Sequence, residues 1–349
     1  MGLASVRSMK RIAMPTVLIA FLVCALPYES PAPLIYTPGI GWTYERFGKE
    51  GKWTRTRAKE QLAVAQKAFE EGDFSTARKA ANHTVKQWPL SDYAPEALFL
   101  EGRCLEEKGQ HEKAFKHYQE LVEKYPKFDK YEEVLKRQYK IANEFLDGRW
   151  FKLWGYVPLA PSMDKTVEMY QSLIEAGPFS EVAPEAQMKI GQAREKKKNF
   201  KESVKAHEKA ANRYHDRPEV AAEALFGAGL AYQKQAKTSE YDQGAAGKAI
   251  DTFTDFIALY PEHEKVEEAQ DLIDLLRTEQ ARGAFKTARY YEKRKKWRSA
   301  LIYYNDVLVK DATSSYAIEA KAKIETLKLI VDELDKIDEE FSQDNADEK

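Results

Sequence analysis

The stretch APEALFLEG at residues 94–102 returns as APEAQMKIG at 183–191 and as AAEALFGAG at 221–229. A chain that writes one helical phrase three times is stacking one structural unit, so the architecture is a repeat array. The clearest full unit runs from Pro95 to Pro126. Within it Leu98, Gly102, Leu105, Ala114, Tyr118, Leu121 and Pro126 fall where a tetratricopeptide (TPR) helical hairpin alternates large, small and aromatic residues before a closing proline. Gly102 and Ala114 let two antiparallel backbones approach, and Leu98, Leu105 and Tyr118 fill the space beside them. Lys108-Gly109-Gln110 makes the turn.

The same register fits the rest of the chain. A unit from Pro184 has Gly191 at the small position and Ser203 in place of the alanine, and an earlier one, Ala58 to Pro89, turns at Gly72-Asp73-Phe74. Later come an enlarged unit, Ala222 to Pro261, and a last hairpin with Ala288, Tyr291, Trp297, Ala300 and Tyr304; a hairpin between Tyr131 and Pro178 completes about six. Each helix exposes an apolar stripe that only a neighbour can cover, so several units must stack. The expected fold is all-α, a TPR superhelical solenoid of about five to six hairpins over residues 55–324. No strand-like alternation stands out.

Composition agrees: 349 residues, 32% charged and 43% hydrophobic, suit a solenoid solvated along its length. Residues 325–349 carry ten acids against three bases and read as a capping helix, with Leu327, Ile330, Val331, Leu334, Ile337 and Phe341 on one face, followed by a disordered acidic tail.

At the other end Arg7, Lys10 and Arg11 precede an apolar run, Ile12 to Leu26, that Pro15 interrupts and that is short for a membrane span. Residues 1–25 therefore read as an export signal. Val23-Cys24-Ala25 leaves two outcomes open: cleavage after Ala25, or lipidation of Cys24 as the first mature residue and anchoring to a membrane. Either way Cys104 is the only thiol left, a small packed residue rather than a nucleophile. Residues 26–54, rich in Pro, Gly and aromatics, read as an extended arm packing on the first hairpin or on a partner.

Catalytic signatures such as G-x-S-x-G, H-E-x-x-H and G-x-x-x-x-G-K are missing from the sequence, and its six histidines are scattered without cysteine partners. Neither an enzyme, nor a metal site, nor any cofactor is expected. Binding is. Phe99, Arg103 and Glu106 in one unit, and Met188, Gln192 and Glu195 in another, fall by register on the inner face of the first helices, where an extended peptide would lie; an ordinary solvated face is the alternative. An insertion at 148–163, with Trp150, Phe151 and Trp154, folds back over its own hairpin or docks on a partner or membrane interface. The run Arg289 to Arg298, with Arg294 and Trp297, is basic and aromatic; repeat register explains part of it, and a charged protein partner suits it better than nucleic acid in an exported chain.

ARYYEKRKKWRSALIYYNDVL at 288–308 resembles the last repeat of the BamD family, TPR lipoproteins of the outer-membrane β-barrel assembly machinery, and the P-x-S-x-x-A phrases at 89–94 and 178–183 look like that family's inter-repeat junctions. The resemblance covers most of Arg57 to Ala322. It implies a non-catalytic periplasmic scaffold, associated with the inner face of the outer membrane, that binds unfolded outer-membrane proteins in its N-terminal repeats. It also implies docking on a BamA-like barrel insertase and other assembly subunits through its C-terminal repeats. By position Phe99 and Arg103 would join the substrate groove, and Arg294 and Trp297 the docking region. A general envelope adaptor for division or peptidoglycan machinery is the alternative. The sixth hairpin, the insertion, the acidic tail and Val23 before the cysteine depart from the family pattern.

Overall fold

The computed structural model describes residues 34–37, 41–44, 51–153, 157–158, 160–238 and 243–347. They fall into two compact units divided between Asp129 and Lys130.

The first unit opens with an antiparallel ribbon, β1 (Leu34–Thr37) and β2 (Gly41–Tyr44), in which Leu34 pairs with Tyr44 and Thr37 with Gly41. The arm read from sequence as merely extended thus carries two short strands, whose β-branched and aromatic residues flank the Pro38-Gly39 dipeptide. Two helical hairpins follow: α1 (Ala58–Glu70) with α2 (Phe74–Gln87), and α3 (Tyr93–Glu107) with α4 (His111–Lys124). Their core is built from small residues, Ala65, Ala77, Ala80, Ala81 and Ala97 around Leu62, Leu100 and Cys104, so the helices pack closely. Buried Gln61 ties the incoming chain to this core. Its amide donates to the Trp53 carbonyl at 3.1 Å and the Ala80 carbonyl at 3.3 Å, and its oxygen accepts from the Arg55 N–H at 2.7 Å.

The second unit contains α5 (Tyr131–Leu146), a two-stranded ribbon β3 (Lys152–Leu153) and β4 (Val157–Pro158), α6 (Met163–Ala176), α7 (Ala183–Lys196), α8 (Phe200–Arg213), α9 (Pro218–Thr238) and α10 (Gln243–Leu259). It ends with α11 (Val266–Lys293), α12 (Trp297–Lys310) and α13 (Ser315–Asp347). Successive helices pack antiparallel, giving four further hairpins and a last covering helix. The fold is an all-α TPR array; the two ribbons add short strands outside its helices. α11, with 28 residues, belongs to two cores. Ala269, Ile273 and Leu276 pack with Phe226, Phe253 and Phe256, whereas Ala281, Ala284, Phe285 and Ala288 pack with Tyr304, Val307 and Ile324.

Five hairpin turns share one backbone device. Gly72, Gly109, Gly148, Lys198 and Lys295 each take positive φ, and the next residue's N–H reaches back to a carbonyl five residues earlier, as in Asp73 to Ala68 and Asn199 to Arg194. The C-terminal helix differs from its sequence reading. It begins at Ser315, not 325, because the Ser314 hydroxyl caps the Ala317 N–H at 3.3 Å, and it continues to Asp347 where a disordered tail was expected. Ile324, Leu327 and Val331 face the core, Ile330 and Leu334 are half-buried, and Ile337 is exposed; the Phe341 side chain lies outside the described ones.

Candidate functional site

In the second unit the first helices of three consecutive hairpins, α5, α7 and α9, wall a cleft of about 950 Å³. Small residues in register make it possible. A Cβ on Gly191 or Gly227 would run into the His207 imidazole, as one on Gly102 would meet Tyr118 and one on Gly229 Phe253. His207 therefore occupies the aromatic position held elsewhere by Tyr118 and Phe253, on the cleft floor between α7 and α9.

The walls combine apolar surface from Met188, Phe200, Phe226 and Leu230 with charges that are largely paired. Tyr139 donates to Glu185 at 2.8 Å; burial, followed by that bond, pushes its hydroxyl pKa up to about 12. Glu195 accepts from Ser203 at 3.3 Å and from Lys234 at 2.5 Å, and lies 3.9 Å from His207 Nε2. Lys265 bonds both oxygens of Glu223 at 2.6 Å and stands over the Phe226 ring. His207 is 96% buried by its 4% exposure, and desolvation pulls its pKa below the ordinary value despite the nearby Glu195. Such a surface suits an extended segment presenting apolar side chains between hydrogen-bonding groups.

Met188 and Gln192 line this cleft together with Glu195, Met188 half-buried and Gln192 exposed. Phe99 is different. It was expected on an exposed face, but is 4% exposed in the first unit, held between Tyr118 and the Phe128 ring that the following loop brings over it, at 6.0 and 5.9 Å. Arg103, half-buried, lays its guanidinium over Phe69 at 5.1 Å, and Glu106 is half-buried in the same helix. In the last hairpin Arg289 and Arg294 are exposed, Arg294 stacking on Tyr290 at 4.0 Å, while Trp297 is half-buried against the α11–α13 core. Trp150 is 53% exposed; Phe151 turns inward and stacks on Phe145 at 4.2 Å, so this part of the insertion folds back. Trp154 and Cys24 lie outside the described residues.

Two features escaped sequence reading. His207 lies four residues after Ser203, the same interval as Ala114 to Tyr118, and could have been found from that spacing. Glu101, 1% exposed, accepts from Asn82 at 3.1 and 3.2 Å with Arg78 and His117 at 3.8 Å; its only signal is an acid where the sister copies have Ile190 and Ala228. Cys104 is buried, its thiol pushed up to about 12 by desolvation, which keeps it protonated and inert. Among the described residues no cluster of His, Cys, Asp and Glu could hold a metal ion, and no helix is long and apolar enough to cross a membrane.

Stacked hairpins around a partly apolar cleft define a TPR protein-interaction scaffold, and the tetratricopeptide-repeat profile matches residues 62–127. The YfiO profile, described as an outer membrane lipoprotein, matches residues 160–336, and the chain belongs to that family. The match spans the segment 288–308 that carries the BamD-like resemblance. Repeats and family alike are those of non-catalytic scaffolds. No curated protein matches the chain. Among solved structures it is similar to the C-terminal part of a TPR repeat-containing protein from Cytophaga hutchinsonii, with 16% identity, 76% of this chain and 87% of that one covered, and a TM-score of 0.36. It is also similar to a tetratricopeptide repeat protein from Parabacteroides merdae (11% identity, 78% and 98% covered, TM-score 0.33). A third is MamA from Desulfovibrio magneticus RS-1 (14% identity, 59% and 97% covered, TM-score 0.32).

Proposed function

We propose that this protein is a periplasmic scaffold in outer-membrane β-barrel assembly, in which the α5–α7–α9 cleft receives extended segments of unfolded outer-membrane proteins. The exposed Arg289–Arg294 surface docks on a BamA-like insertase, and the chain works at the inner face of the outer membrane, with Cys24 as its lipid anchor. The observation that carries the reading is the cleft itself: three first helices present Tyr139, Met188, Phe226 and Leu230 beside bonded charges, a surface matched to an unfolded chain rather than to a small metabolite. Membership of an outer membrane lipoprotein family supports the compartment.

A photo-crosslinking residue at Gln192, used in the full chain and followed by mass spectrometry of envelope extracts, tests it. Adducts with outer-membrane proteins, and co-purification of a BamA-type barrel that is lost in an Arg289→Glu/Arg294→Glu variant, are expected. Recovery of division or peptidoglycan proteins alone would replace this reading with that of a general envelope adaptor.

A further inference from the structure

Trp150, Phe151 and the α7–α8 turn form a surface at the rim of the cleft, where Lys196 and Lys198 also line its edge. Lys196 donates to the Leu146 carbonyl at 2.6 Å and Lys197 bonds Asp164 at 2.6 Å, so the α7–α8 turn is fastened beside the start of the insertion and the first turn of α6. The Phe151 N–H reaches the Ala160 carbonyl at 3.3 Å, and Lys165 stands over the Phe151 ring at 4.9 Å, which leaves the neighbouring Trp150 projecting. The segments joined here carry Arg149, Lys165, Lys196, Lys197, Lys198 and Lys201, alongside Glu144, Asp147, Asp164, Glu195 and Glu202, of which Asp164 is bonded to Lys197 and Glu195 to Lys234. Lys198 and Lys201 are exposed; Glu202, beside Lys201, is bonded to Lys205. Lys198 also sits at φ 59, where three sister turns use glycine. A cation is thus kept at the tip in a backbone conformation that glycine adopts without steric conflict.

We propose that this surface, Trp150 with the Lys196–Lys201 turn, seats on the anionic headgroups of a phospholipid bilayer. An exposed indole flanked by long cationic side chains is matched to the headgroup layer, where the ring lies at the interface and the ammonium groups meet phosphates. Mobile lipid phosphates need no fixed fork geometry, so lysines suffice where an ordered acidic partner would favour arginine. A chain of an outer membrane lipoprotein family works where such a surface is at hand.

Vesicle flotation of the full chain tests this, comparing phosphatidylcholine vesicles with the same vesicles enriched in phosphatidylglycerol. The basic and apolar N-terminus, Arg7 to Leu26, contributes alike to wild type and variants, so the difference between proteins on the same vesicles reports the patch. Stronger flotation with phosphatidylglycerol, suppressed by salt, is expected. Lys198→Gly with Lys201→Ser should lower that increment about fivefold per charge removed, and Trp150→Ser should weaken flotation while its salt dependence persists. Lys198→Gly leaves the turn at least as stable, so loss of binding cannot be put down to unfolding. Equal flotation of wild type and the double variant overturns the proposal. So does absence of vesicle binding alongside capture of a polyglutamate probe that the double variant loses, which would assign the surface to an acidic protein.

Discussion

Lys198 and Lys295 carry a cost visible in the backbone. Both hold the left-handed conformation at φ 59 and 58, at the turn position where Gly72, Gly109 and Gly148 stand in the other hairpins. For a residue with a Cβ this conformation costs roughly 1–2 kcal/mol, part of which glycine returns as extra freedom in the unfolded chain. Lys295→Gly is therefore expected to raise stability by about 0.5–1 kcal/mol, seen as a higher urea midpoint; a lower midpoint would mean that the lysine makes contacts offsetting its strain. His207 has the opposite character. Its folded-state pKa lies below the ordinary 6.5 because it is desolvated between Gly191 and Gly227. Between the folded and unfolded values the unfolded chain binds a proton that the folded chain refuses, so stability is complete above about 6.5 and declines as pH falls towards the folded value. His207→Phe, which restores the kind of residue Phe253 supplies at the same register, should flatten this decline. Melting temperatures of both proteins followed across that interval decide it, and parallel curves would sink the assignment. A third residue-level device is also periodic: Gln187 donates to the Ala206 carbonyl at 3.3 Å just as Gln61 does to Ala80, each nineteen residues on, fastening the second helix to the first.

At the level of the helical hairpin, close approach decides the packing. Any side chain at Gly102 must enter the space of the Tyr118 ring, which is fully buried and cannot swing away. Gly102→Ala should thus destabilise the first unit by about 1–3 kcal/mol through overpacking, even though alanine is the better helix former; an unchanged or raised thermal midpoint would show that α3 and α4 separate without penalty. This much was legible in the sequence, because the small and aromatic positions recur at fixed intervals and close packing leaves them no freedom. Phe99 was not legible. Register alone puts it on the inner face, and what buries it is Phe128, contributed by a junction outside the repeat unit. Trp297 went the same way, since a tryptophan in a basic run reads equally as a docking anchor and as a core residue until α13 is seen to cover the last hairpin. Met188 and Gln192 do lie along one cleft wall, as inner-face register requires, and the spacing that marks Tyr118 also marks His207 on its floor, but the salt link from Lys234 of α9 to Glu195 is one that no periodicity announces.

Across the whole chain, repeats would be expected to pass stability from neighbour to neighbour, each interface adding its own increment. α11 alters that in the second unit. Its first half closes the core containing Phe226, Phe253 and Phe256, and its second half founds the core containing Tyr304 and Val307, with no break in its hydrogen-bond ladder. Between the halves Gln280 is buried and reaches the Gln243 carbonyl at 3.4 Å, marking where one core gives way to the next. The sequence hides this join because only Gly283 interrupts 28 residues of good helix formers, and a single glycine does not end a helix. A continuous helix common to two cores makes each favour the other's folding. Glu279→Pro places the break at that join on an exposed position, removing one helical hydrogen bond and clashing with the preceding turn at a cost of about 3 kcal/mol. Neither core loses a side chain, so the penalty falls on the coupling. Calorimetry of the full chain should show the unfolding of residues 266–347 divide, with the α12–α13 module melting first while the α9–α10 core retains its transition. Hydrogen exchange would place the early loss of protection in residues 297–331. If instead both cores shift together by the same amount, the two halves of α11 are coupled through packing across α10 and α12 and not through the helix they share.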